Sequence, residues 1–479
     1  MILNTMSYSQ QLEDNGVCTM GMLGCLVGWV LTFLYEGPVL YAMASAQGVD
    51  GIFLNAENLF FLALGLLSGI MIRLPSFTQL RSTIGTAMVA CLIISLLVTH
   101  LPSKLWYVAF PLLSLAAGLS MTLWAHLLKT SVPKNKRLIA VPVVMLLACV
   151  VLTISHILAN HISTYAGYAI AELSLMTSLF CLSRLRTPQC KRLLYQLDSP
   201  RYILRHFGPL ICFILCVTIN AGFMFQSVYP LFAKHESLLS FYINIPYMLA
   251  IVLLFKFRAS NRIQTLYMAL ALWGMALLMV SHLGMGISSF FLIATGMLFA
   301  SGMLDFFWWN IFIGSFDAVK NPATPMGIIL AANILGALAG GQISNSLAAD
   351  GISPANMAQL GLMFILLNTV LLSVVRKQIL QIMPDAKFLK HKNLPHELDK
   401  MMVAREKLSP REMDVFLLLL DGASDKIIAN TLHISSNTIK SHNRKIFSKL
   451  GMANRIELRK HFCNHTPYKH PQFLPENSH

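Results

Sequence analysis

Between Ser435 and Gly451 the residue spacing predicts one helix with two characters. Ile439, Ile446 and Leu450 recur on a single face, leaving Asn437, Lys440, Ser441, Arg444, Lys445 and Ser448 on the others. Lysine and arginine exposed four residues apart can reach base edges in a major groove, where guanine presents paired acceptors. Short polar groups near the start of such a helix can grip phosphate. This is chemistry for reading double-stranded DNA.

A second set of reactive groups lies in very different surroundings. Glu36, Glu57, Glu172 and Asp305 fall inside long apolar stretches, where a carboxylate at a helix centre costs about 2.5–3.5 kcal/mol on insertion scales. No Lys or Arg lies deep in any of these stretches, so internal ion pairing cannot neutralise all four acids. They must face a cavity or a partner. Asp305 is followed by Phe306, Phe307, Trp308 and Trp309, and a carboxylate beside aromatic faces suits an aromatic or cationic small molecule. The sequence leaves open the plainer alternative, in which the acids bond to Ser and Asn neighbours and the tryptophans pack against lipid.

Enzymatic signatures are missing. There is no nucleotide-binding glycine loop, no His-Glu-x-x-His and no nucleophile elbow, and His461-x-Cys463-x-His465 matches the spacing of no common zinc finger. None of the cysteines forms a Cys-x-x-Cys pair. A non-enzyme without cofactor, metal or disulfide framework is expected.

The elements that must hold these residues are helical throughout. With a mean hydropathy of +0.63 and 12% charged residues, about half the usual share, most of the chain belongs in lipid. Apolar stretches of spanning length fall near 17–44, 52–72, 82–100, 105–128, 138–159, 162–183, 208–233, 237–255, 263–283, 286–314, 324–348 and 355–375. The first is too long for a signal-peptide core and reads as a retained span. Basic residues alternate sharply between the loops. One set holds Arg73, Arg81, Lys129, Lys134, Lys136, Arg137, Arg184, Arg186, Lys191, Arg192, Arg201, Arg205, Lys256, Arg258, Arg262 and Lys320; the other holds only Lys104 and Lys234. Because basic residues resist translocation, the first set and both chain ends are expected on the cytoplasmic side. After residue 375 the character changes to a basic, proline-containing linker over 376–407.

From Leu408 onward, helix boundaries can be read from caps. Ser409, Pro410 and Glu412 form a capping box ahead of Val415, Phe416 and Leu419, and Gly422 ends that helix. Ser424 starts a second helix through Ile428, Ala429 and Leu432, His433-Ile434 makes the turn, and Ser435 opens the third. Gly451 stops it, and Asn454 with Glu457 caps a fourth through Leu458 and Phe462.

The order Leu408-Ser409-Pro410-Arg411-Glu412, Ile428-Ala429, Ser435, Thr438-Ile439-Lys440-Ser441-His442, Lys449-Leu450-Gly451 and Asn454-Arg455 resembles the LuxR/GerE helix-turn-helix family over 408–463. That resemblance implies a third helix in the major groove. Lys440, Ser441 and Arg444 match base-contacting positions, Thr438, His442 and Lys449 match positions near the backbone, and Asn437 and Lys445 complete the DNA-binding set. It also implies dimerisation through the fourth helix. Ile427 departs from the family, which usually has Glu there.

The six-plus-six division of the apolar spans around residues 185–207 resembles the major facilitator architecture. That family's loop motif is eroded in Gly65-Leu66-Leu67-Ser68-Gly69-Ile70-Met71-Ile72-Arg73-Leu74-Pro75, which lacks the Asp and the Gly after the Arg. The erosion favours binding over turnover.

The expected fold is therefore all-α, a twelve-helix transmembrane bundle over 1–375 followed by the 376–407 linker, the four-helix reader over 408–463 and a polar tail over 464–479. The expected function is a one-component transcriptional regulator of the bacterial cytoplasmic (inner) membrane, multi-pass, with both termini cytoplasmic. It senses an unknown small molecule in the bundle and binds promoter DNA as a possible homodimer. The competing expectation is an active transporter with a fused DNA-binding domain.

Overall fold

A computed structural model describes residues 2–35, 38–74, 76–186, 198, 200–228, 230–231, 241–257, 262–283, 286–317, 319–382, 408–420, 424–432 and 434–462. These residues form helices and turns, apart from an isolated bridge residue at Ser76. The chain divides into two compact units, Met1–Pro384 and Asp385–His479.

In the first unit the helices are α1 (Ile2–Trp29), α2 (Pro38–Ala46), α3 (Gly51–Met71), α4 (Phe77–Val98), α5 (Ser103–Ser131), α6 (Ala140–His161), α7 (Thr164–Arg184), α8 (Pro200–Phe223), α9 (Ile245–Lys256), α10 (Arg262–His282), α11 (Ile287–Gly314), α12 (Ala323–Ala349) and α13 (Pro354–Ile382). Among the described residues, eleven helices are long and apolar enough to cross a membrane, the first running over Asp14–Ala46. That first span is not regular. A π-turn at Val30–Leu34 separates α1 from α2, and Glu36 lies at this break, outside the described residues. The stretch expected as the eighth span, 237–255, contributes the shorter α9, because Asn244-Ile245-Pro246 starts the helix late.

Large apolar side chains such as Leu112, Phe180, Met268, Leu366 and Val370 point outward, as a lipid-facing surface requires. Small residues sit where helices touch. A Cβ on Gly340 would collide with the Ile219 carbonyl of α8, and one on Gly118 with the Leu62 carbonyl of α3, so these backbones approach as only glycine permits. Gly24 and Gly28 likewise face Leu147 and Val151 of α6.

The two halves, α1–α7 and α8–α13, meet along α3 and α12. At the end of the bundle that carries the basic loops, this seam is tied by polar bonds. Asn321 Nδ2 donates to the Ile70 carbonyl at 3.1 Å, and Lys129 Nζ donates to the Phe316 carbonyl at 2.7 Å. Asp198, buried in the connection between the halves, accepts from the N–H groups of Lys320 (2.9 Å) and Asn321 (3.2 Å) and from the Thr324 hydroxyl (3.1 Å). A carboxylate thus ties down the turn that leads into α12 and the hydroxyl of its second residue, while Asn321 Oδ1 accepts from Ala323 N at 3.0 Å.

Candidate nucleic-acid interface and ligand cavity

The second unit consists of α14 (Pro410–Leu420), α15 (Asp425–Leu432), α16 (Ser436–Leu450) and α17 (Arg455–Phe462). Leu408, Val415, Phe416, Leu419, Ile428, Ala429, Ile439, Ile446 and Leu458 form its core. Gly422 and His433 lie outside the described residues. The capping box closes as its residue types require, with Ser409 N donating to Glu412 Oε2 at 2.8 Å and Glu412 N donating to Ser409 Oγ at 3.3 Å.

Helix α16 begins where the Ser435 hydroxyl accepts from Thr438 N at 3.1 Å. It ends at Gly451, whose φ of 70° is left-handed. Burial of Ile439 and Ile446 fixes its rotation, leaving Asn437, Thr438, Lys440, Ser441, Arg444 and Lys445 exposed. Lys440, Arg444 and Lys445 meet no carboxylate among the described residues. They form a cationic surface on α16 whose donors find no partner among the described residues. Thr438 is partly engaged, its hydroxyl 2.8 Å from that of Ser435. His442 is half-buried, and its Nδ1 finds no partner among the described residues.

Lys449 stands apart from that surface. Its ammonium lies 2.6 Å from Glu412 Oε2, joining the end of α16 to the start of α14. Together with the Ser409 N–H, it pulls the Glu412 carboxyl down to about 2 from an ordinary 4.5. A depressed carboxyl stabilises the fold above its unfolded value, and that contribution disappears as pH falls from about 4.5 through about 2. Acid unfolding of the reader in that window should be blunted in Glu412→Gln, as followed by circular dichroism. Lys449→Met should destabilise the reader by about 1 kcal/mol, because the lysine is half-exposed and its charge partly screened. A sequence reading missed a second tie of this kind. Asp425 Oδ1 accepts from Asn443 Nδ2 at 3.2 Å and lies 3.5 Å from Arg455 Nη1, linking α15, α16 and α17.

Within the bundle a cavity of about 230 Å³ opens between the halves. Asp305, Trp308 and Trp309 of α11 line it together, so the two tryptophans face inward rather than toward lipid. Asp305 Oδ2 accepts from the Tyr247 hydroxyl of α9 at 2.8 Å. Asn244, Tyr247, Trp273 and Asn333 also line the cavity and were not singled out from sequence. Asn244 and Tyr247 had a legible signal, since they interrupt an otherwise apolar run.

Glu172 and Glu57 lie outside that lining. Glu172 is buried among α1, α4 and α7, accepting from Trp29 Nε1 at 3.1 Å and Ser95 Oγ at 2.8 Å. Glu57 is half-buried on α3, with Oε2 unpartnered among the described residues.

Residues 406–462 match the family described as bacterial regulatory proteins, luxR family. The C-terminal unit is a LuxR-family helix-turn-helix. Over 51 residues, 11% of this chain, it is 43% identical to the monoamine regulon transcriptional regulator of Klebsiella aerogenes, covering 22% of that protein. Over 71 residues, 15% of this chain, it is 37% identical to the regulator MalT of Vibrio cholerae serotype O1, covering 7% of that protein. The chain spans under a quarter of either curated relative.

The LuxR-type unit is joined to a bundle of transporter fold. The human organic anion transporter TETRAN superposes with a TM-score of 0.58 at 14% identity, covering 75% of this chain and 99% of its own. The nucleoside transporter NupG gives 0.52 at 13% identity, covering 77% and 99%. At these identities the likeness is one of fold. The protein thus joins a many-helix bundle of transporter-like fold to a LuxR-type helix-turn-helix.

Proposed function

We propose that this protein is a membrane-bound one-component transcriptional regulator, in which a small molecule held in the bundle biases promoter binding by the C-terminal reader. The observation that carries this reading is the exposed cationic surface of Lys440, Arg444 and Lys445 on α16, framed by a LuxR-family fold in the same chain as the cavity around Asp305. Asn437, Thr438, Ser441, His442 and Lys449 complete the proposed DNA-binding set.

The basic-loop asymmetry supports placement in a bacterial inner membrane with both termini in the cytoplasm. The linker over 376–407, at most about 3.3 Å per residue when extended, would keep the reader near the inner leaflet, so DNA must come to the membrane. Ile456 on α17 is 71% exposed, which supports pairing of two readers through that helix. A ligand that prefers one arrangement of the halves would shift their populations and thereby the reader's freedom to pair. We further propose 1–375 as the sensor and 408–463 as the reader, with neither acting as an enzyme.

Genome-wide DNA occupancy of the membrane-bound protein tests this reading. Enrichment at a discrete set of promoters is expected, and uniform coverage would reject the assignment. A second reading, active transport with a fused regulatory domain, is favoured by the fold match over 99% of two transporters. Flux in liposomes that is lost in Asp305→Asn would support it, whereas the eroded Gly65–Pro75 loop supports the receptor.

A further inference from the structure

Among the described residues, the cavity between the halves carries one formal charge. Asp305 lines it, while no described Lys, Arg or His does. Its carboxylate takes one hydrogen bond, from Tyr247 at 2.8 Å, and no ion pair reaches it among the described residues. Around it the walls are apolar and aromatic. Trp308 and Trp309 lie one helical turn further along α11, and Trp273 of α10 lines the same space, all three buried.

Such a site discriminates by charge. An anion entering it would meet Asp305 with no compensating cation, and a neutral guest would take water from the carboxylate without replacing it. A cation answers both demands, because it pairs with Asp305 while its apolar body lies against indole faces whose quadrupoles attract positive charge. From the lone carboxylate and the three tryptophans we infer that the molecule sensed in this cavity is a small monovalent organic cation, an amine or quaternary ammonium with an apolar or aromatic body. This rests on the reading of the cavity as the sensory site and names its ligand class.

The test uses the full chain in lipid nanodiscs, with intrinsic tryptophan fluorescence as the readout. Three isosteric probes are titrated, namely benzyltrimethylammonium, its neutral carbon analogue neopentylbenzene, and the anion benzylsulfonate. The expected result is saturable binding of the cation at least about tenfold tighter than that of the neutral analogue. Asp305→Asn should weaken the cation to the level of the neutral probe, and Asp305→Glu should restore most of the preference. The wild-type comparison alone decides the matter if Asp305→Asn fails to insert. Equal affinity for neopentylbenzene overturns the cation class and leaves the cavity a ligand site. Saturable binding of none of the three probes also overturns it, while promoter occupancy, measured separately, continues to report on the regulator reading.

Discussion

Replacing Lys440 and Arg444 together by alanine is expected to weaken binding to a specific promoter fragment by about 30-fold to 10⁴-fold. Each side chain that pairs with a base edge in the major groove is worth about 1–3 kcal/mol of discrimination, and every 1.4 kcal/mol is about tenfold. Both cations stand exposed on α16, clear of any carboxylate among the described residues. Their loss therefore removes contacts to DNA without breaking an internal bond. Non-specific retention should fall far less, and the dependence of log affinity on log salt should flatten by about two charges at most. Ser448→Ala, on the same helix, is the control, and membrane insertion should be unchanged in all variants. Electrophoretic mobility shifts or footprinting on the solubilised full chain provide the measurement. Unaltered footprints in the double variant would show that α16 does not read sequence.

Lys449 illustrates why spacing alone could not settle every member of that set. By position it belongs with the phosphate-facing residues, yet its ammonium is held by Glu412, 37 residues earlier. Features governed by local rules were legible in the sequence. The Ser409–Glu412 box, the Ser435 cap and the left-handed Gly451 each follow from a few adjacent residue types, and the structure forms all three. The spanning helices were legible for the same reason, since length and hydropathy suffice. What escaped depends on chain folding that brings distant residues together. Asp305 gains Tyr247 from 58 residues away, and Glu172 is satisfied by Trp29 and Ser95 from two other helices. Glu57, Glu172 and Asp305 therefore looked alike in sequence but occupy unlike environments. Likewise, nothing near Asp198 in sequence signals that it holds the turn into a helix more than 120 residues later.

Asp198→Ala is expected to loosen the seam between the halves at the basic end and to change promoter occupancy in the absence of any ligand. The substitution leaves the N–H groups of Lys320 and Asn321 and the Thr324 hydroxyl without their acceptor in the turn that leads into α12. Each such group costs about 1–3 kcal/mol, of which water entering the opened site recovers part. A net loss of about 1.4 kcal/mol already shifts the balance tenfold toward arrangements in which this end is open. The effect concentrates there because the start of α12 also carries the tie to α3, Asn321 Nδ2 on the Ile70 carbonyl. The eroded loop at Gly65–Pro75 offers no carboxylate of its own, so Asp198, contributed by the connection between the halves, supplies the charge at this seam. Asn321→Leu should act in the same direction, since it removes the crossing bond to Ile70 together with the Oδ1 that accepts from Ala323 N at 3.0 Å, while leaving the three bonds to Asp198 in place. Spin labels at Thr78 and Lys256, exposed on opposite halves at this end, would report the separation. A longer and broader distance distribution is expected in Asp198→Ala, with a parallel change in occupancy at target promoters. Identical distances in variant and wild type would show that the carboxylate holds the turn before α12 without governing the arrangement of the halves. Changed distances with unchanged occupancy would instead separate that arrangement from the reader's output, removing the mechanical link on which a membrane-borne signal depends.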